Sequence, residues 1–127
     1  MKSEFAEEFK TRTKQFALRC LNLLKHLPKD SASQIIGKQL FRSASSVAAN
    51  YRAVCRARSN AEFYSKLSIV VEEADETVFW LEMIIEGKIL PKKKMDNLLK
   101  EAKEILAVVS TSRKTFKESK ITGSTKE

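Results

Sequence analysis

His26 is the one histidine in the chain, and Glu72 and Glu76 stand four residues apart in a stretch patterned as helix. These are the residue types that a general base or a carboxylate-held cation would need. Spacing supports neither. Di-iron bundles carry Glu-x-x-His on two helices, and no such pair occurs here. An acidic pair on one helix face is ordinarily solvated. Cys20 and Cys55 fall in helical patterns near apolar faces and read as reduced, buried small hydrophobes. A metal site would require further ligands at ligand spacing. Gly37, Gly87 and Gly123 are isolated, so no glycine-rich loop is present to cradle a phosphate. The expected sets of catalytic, cofactor-binding and metal-ligating residues are therefore empty, and the chain reads as a non-enzyme.

Charge is the remaining chemistry. The 127 residues include 24 basic and 16 acidic side chains, a net charge of +8 that favours attraction to polyanions. In the stretch RSASSVAANYRAVCRARS, at 42–59, very small and very large charged side chains share one helix. Lys38, Arg42, Ser45, Ala49, Arg52 and Arg56 recur at spacings of four and three, opposite an apolar line of Ile36, Leu40, Val47 and Val54. The result is a basic ridge with a shallow saddle of serine and alanine, which a second helix or a phosphate chain could approach closely. Residues 31–58 hold five basic side chains and no acid, so the ridge has no i,i+4 partners of its own. Residues 59–87 hold seven acids against Lys66 alone. If these two helices packed antiparallel, their flanks could meet, each exposed pair contributing about 0.2–1 kcal/mol.

Lys92, Lys93 and Lys94 crowd the start of the last helix, followed by Lys100 and Lys103. Lysines near a helix N-terminus oppose its dipole, so local stability does not explain them. Together with Lys38, Arg42, Arg52 and Arg56 they are the expected polyanion-binding residues. Phosphate contacts dominate sequence-independent nucleic-acid binding. No RRM-type aromatics, helix-turn-helix turn or zinc spacing offers base readout. RNA is the expected partner, and an acidic protein docking on an oligomeric scaffold is the alternative, because carboxylates and phosphates attract the same arginines.

Four amphipathic segments position these groups, at about 4–27, 31–57, 60–86 and 91–117. Phe9, Thr13, Phe16, Cys20, Leu23 and Leu27 form the first stripe, and Leu27-Pro28 ends it. Ser31 with Gln34, and Ser59 with Glu62, read as capping boxes. Gly87 is expected to turn left-handed at the end of the third helix, and Pro91 suits the first turn of the fourth. Similar lengths and short connections predict an all-α, antiparallel up-down-up-down four-helix bundle over 1–118, in preference to a long coiled-coil hairpin. Residues 119–127 are polar and unpatterned, and a disordered tail is expected there. No apolar run approaches the roughly 20 residues that span a bilayer, and Met1–Lys10 is charged, so a cytoplasmic protein without membrane partners is expected. Phe41, Ile69, Phe79, Trp80 and Met83 lie off the core lines, which predicts a self-association surface.

Gln39-Leu40, Arg42, Ala49-Asn50 and RSNAEFYSKLSIVVEEADETVFWLE (58–82) resemble the four-helix bundle family of 23S rRNA intervening-sequence proteins, over roughly residues 5–116. The resemblance implies an antiparallel bundle assembling as a homopentameric ring. Some members are encoded within sequences inserted in 23S rRNA genes. A related group accompanies reverse transcriptases of diversity-generating retroelements and resembles a basic, nucleic-acid-binding pentamer. Where many members read A-N-I-A-E-G, this chain reads Ala49-Asn50-Tyr51-Arg52-Ala53-Val54, losing an acid and adding Arg52 to the ridge. The family carries no catalytic residues to transfer.

Overall fold

The computed structural model describes residues 3–126, with side chains as far as residue 119. Among them are four helices and no strand: α1 (Glu4–Leu24), α2 (Ser31–Cys55), α3 (Asn60–Glu86) and α4 (Lys92–Lys126). The first three begin at side-chain caps. Ser3 accepts the Ala6 N–H and Ser59 that of Glu62, both at 3.0 Å. At α2 the cap is Asp30 rather than Ser31. Its carboxylate accepts both the backbone N–H and the hydroxyl of Ser33, at 3.0 and 2.8 Å. Those bonds, the backbone one first, hold the Asp30 carboxyl below its usual range. A charged cap also complements the helix dipole, an advantage that serine lacks. Gln34 turns to the Pro28 carbonyl at 2.8 Å instead of closing a capping box.

The end of α3 reverses an expectation. Gly87 has φ −77°, and the left-handed residue is Lys88, at φ 57°. The Ile89 N–H bonds to Ile84 O and the Lys88 N–H to Ile85 O, a Schellman pair. Glycine is needed at 87 for space: a Cβ there would lie 2.7 Å from the Met83 carbonyl oxygen. The other departure is α4, which continues to Lys126 through the segment expected to be a disordered tail. No proline interrupts it, and extending an existing helix is far cheaper than nucleating one.

The apolar stripes converge on one core. Phe9, Phe16 and Cys20 of α1 meet Leu40, Val47 and Val54 of α2, Leu67, Val70 and Leu81 of α3, and Met95, Ile105 and Val109 of α4, all essentially buried. Each large side chain so buried contributes about 1.5–3 kcal/mol. Phe9 packs edge-on against Tyr51 at 4.9 Å, and Phe63 meets Phe116 at 4.6 Å. Gly37 lets α2 sit directly on the chain after α1, since a Cβ would come within 2.3 Å of Leu27. The packing of α2 on α3 is the most extensive, and that of α1 on α4 the least. The buried Ser43 and Thr77 hydroxyls bond to each other across α2 and α3 at 2.9 Å, and also to Leu40 O and Glu73 O. Among the described residues no buried side-chain polar atom lacks a partner, and no helix is long and apolar enough to cross a membrane.

Candidate polyanion and assembly surfaces

Arg42 departs from the free basic ridge. Its guanidinium reaches across to α3, donating to Glu73 at 3.1 Å and to Glu76, while Nε donates to Gln39 at 3.0 Å. Glu76 also accepts the Trp80 indole N–H at 2.9 Å. That bond, and then Arg42, hold the Glu76 carboxyl below its usual range. Glu73 first, then Glu76, push Arg42 up. The expected meeting of basic and acidic flanks therefore occurs here, and it removes Arg42 from the set of available cations.

Most of the other expected polyanion residues remain exposed. Lys38 and Arg52 on α2, Arg56 at its C-cap, and Lys93, Lys94, Lys100 and Lys103 on α4 make no ion pair among the described residues. Lys92 pairs with Asp96 at 3.1 Å, an exposed i,i+4 contact of little energetic weight. The structure does not gather these cations into one patch: Arg52 faces a groove beside α1, while Lys100 and Lys103 lie on the outer face of α4.

The expected assembly residues divide in the same way. Phe79 and Met83 project from α3, at 49% and 39% exposure, with Phe79 edge-on to Trp80 at 4.9 Å. Trp80 itself is half-buried, packs against the core and is tied to its own Glu76. Ile69 and Phe41 are also half-buried. Phe41 forms a wall of a groove between α1 and α2 of about 390 Å³, floored by Ala17, Ala48 and Ala49 and rimmed by Lys10, Lys14 and Arg52. This groove is the serine-alanine saddle of the sequence, completed by α1.

Three features were not anticipated from the sequence. Arg12 of α1 forms a fork on Glu101 of α4, both bonds 2.7 Å, and reaches Glu104 at 2.8 Å. Arg12 accordingly holds the Glu101 carboxyl below its usual range. Counting charge by segment hides this bridge, because both helices are basic overall. A second cleft, of about 440 Å³, opens between α1 and α4 around Arg19, His26 and Lys94. At the far end of the bundle Phe5, Tyr51, Phe63 and Phe116 line an apolar hollow of about 430 Å³. Phe5, Leu18 and Leu21 of α1 are exposed, so this helix carries more than a core face.

His26 is exposed and bonds through Nδ1 to Asn22 O at 3.1 Å, and no cluster of metal-ligating side chains occurs among the described residues. Cys20 is fully buried, and burial pushes its thiol up to about 12.

The sequence profile of 23S rRNA-intervening sequence proteins matches residues 8–111. The chain is also similar to a crystal structure of a protein of unknown function from the S23 ribosomal protein family of Bacteroides thetaiotaomicron. The TM-score is 0.78 and the sequence identity 31%, covering 86% of this chain and 97% of that one. No curated protein matches the chain.

Proposed function

The chain belongs to the 23S rRNA-intervening sequence protein family, and we propose that it acts without catalysis, as a self-assembling bundle whose basic surface associates with RNA and does not read base sequence. The observation that carries this reading is the set of exposed cations, from Lys38 to Lys103, that have no acid partner among the described residues although α3 is rich in acids. Had charge pairing within the bundle been their purpose, they would lie where Arg42 lies. Acting together they suit phosphates, with an affinity that falls steeply with salt.

In this reading the helices run up-down-up-down. Phe9 opposite Tyr51 and Leu24 opposite Gly37 fit opposed directions for α1 and α2, and Arg12 on Glu101 fits the same for α1 and α4. Assembly uses complementary faces: the Phe79–Met83 ridge of one copy, flanked by α3 acids, enters the alanine-floored groove of the next on the side rimmed by Lys10 and Lys14, leaving Arg52 to phosphate. Such a head-to-tail contact closes into a ring when its rotation permits, and a pentamer is the ring the family resemblance implies. Two measurements test the proposal. Wild-type protein should retain nuclease-sensitive RNA at low salt, and absence of retention rejects the RNA association. Phe79→Ser with Met83→Ser should lower the native mass towards monomer while the helical circular dichroism persists, and an unchanged mass rejects the ridge.

A further inference from the structure

The seam between α1 and α4, the least extensive in the bundle, differs in chemistry from one level to the next. At one level Arg12 is neutralised by Glu101 and Glu104. Seven residues onward in α1 stands Arg19, and seven residues back in α4 stands Lys94, both lining one open cleft of about 440 Å³. Seven residues are about two turns, or roughly 10 Å, so the register that brings Glu101 to Arg12 brings Lys94 to face Arg19. Two cations therefore confront each other where the neighbouring level has a bidentate ion pair.

No carboxylate lines this cleft. Its remaining polar groups are the carboxamides of Gln15, Asn22 and Asn97 and the imidazole of His26, over a floor that includes Leu23 and Leu98. Glu101 is the acid whose field reaches Arg19, but both of its oxygens are held in the Arg12 fork. Neither Arg19 nor Lys94 makes an ion pair among the described residues. Acids are thus supplied to Arg12 and Arg42 at comparable positions between helices and withheld here. The volume lies within the roughly 300–1,000 Å³ typical of small-ligand sites.

We infer that this cleft binds a phosphoryl group, with Arg19 of α1 and Lys94 of α4 clamping it from opposite walls. A guanidinium forks onto two phosphate oxygens and an ammonium adds a point charge, so one dianion or phosphodiester removes the repulsion across the seam. The carboxamides carry both donors and acceptors, and with the leucine floor they suit an attached nucleoside better than a bare ion. The phosphoryl group belongs either to an RNA strand, which rests on the function proposed above, or to a free mononucleotide.

The test titrates ¹⁵N-labelled protein with uridine monophosphate and, separately, with a short single-stranded RNA. It compares wild type, Arg19→Gln/Lys94→Gln and the charge-matched control Lys114→Gln/Lys117→Gln, which lies beyond the cations assigned to phosphate binding. All four side chains are exposed, so the variants should keep the wild-type thermal midpoint. The expected result is that uridine monophosphate shifts amides at 15–26 and 94–98, and that affinity falls tenfold or more in the cleft variant and less than twofold in the control. Equal affinity in wild type and the cleft variant, or shifts mapping elsewhere, overturns the site. Mononucleotide binding at the cleft without RNA binding sustains the site with the free nucleotide as its source and rejects the RNA proposal. RNA binding undiminished in the cleft variant, with no mononucleotide binding, does the opposite.

Discussion

Arg42→Gln and Arg52→Gln remove the same charge from the same helix, yet the structure assigns them opposite consequences. Arg42 spans two glutamates of α3, one of which also holds the Trp80 indole, whereas Arg52 makes no ion pair among the described residues. Arg42 is 46% exposed, so the forked contact must be discounted for solvent screening. About 1 kcal/mol of stability is a fair figure for its loss, while a surface change such as Arg52→Gln stays within about 0.5 kcal/mol. At roughly 2.1 cal/mol/K of unfolding entropy per residue, 1 kcal/mol lowers the melting midpoint of a chain this size by about 4 °C. Urea unfolding followed by Trp80 fluorescence measures the first quantity, since Trp80 is the one tryptophan. RNA anisotropy titrated across a salt series measures the second: Arg52→Gln should reduce the salt slope by about 1 and Arg42→Gln should leave it nearly unchanged. The stability gap also has a pH signature. Glu76 is held below its usual range by Trp80 and then Arg42, so the stabilisation is present above the unfolded carboxylate value near 4.3 and fades as pH falls below about 4. If Arg42→Gln flattened the salt slope as much as Arg52→Gln while leaving the melt unchanged, the assignment of Arg42 to internal pairing would be wrong.

Arg12→Gln should cost about 1 kcal/mol, because Arg12 bridges the least extensive seam and its loss leaves Glu101 and Glu104 facing each other. Since Arg12 holds Glu101 below its usual range, the difference from wild type in thermal melts should shrink as pH drops below about 4. Lys88→Gly should stabilise by about 0.5–1 kcal/mol in urea unfolding, by relieving the left-handed lysine, whereas Gly87→Ala should destabilise, by driving a methyl into Met83 O. The opposite pair of signs would place the left-handed residue at 87. Cys20 should resist iodoacetamide at pH 8 in native protein and react once urea unfolds it, read by mass, because burial holds its thiol near 12 and out of reach.

Much of the bundle was legible from local pattern. The apolar residues of all four helices recur at helical spacing, and those from Phe9 to Val109 reach the core that the spacing implies. Ser59 was readable as a cap because capping is decided within a few residues. The misreadings were local as well: Asp30 outcompeted its neighbour Ser31 by charge, and Gly87 proved to be a matter of clearance rather than handedness. Helix-by-helix charge was equally plain, and with it the expectation that some arginine of α2 would meet an acid of α3.

Which arginine would do so was not in the sequence, because the choice depends on rotation and register between helices that are distant along the chain. Arg42 sits on the flank of α2 that turns to α3 and is neutralised, while Arg52 turns to the α1 groove and is not. By the same logic Arg12 finds Glu101 and Arg19 finds Lys94, although nothing in the α1 sequence distinguishes the two arginines. Local periodicity thus determined the helices and their buried faces, since a helix repeats every 3.6 residues whatever surrounds it. Only packing decided which charges cancel and which stand open to a ligand, since electrostatic pairing depends on distances in space that the order of residues does not contain.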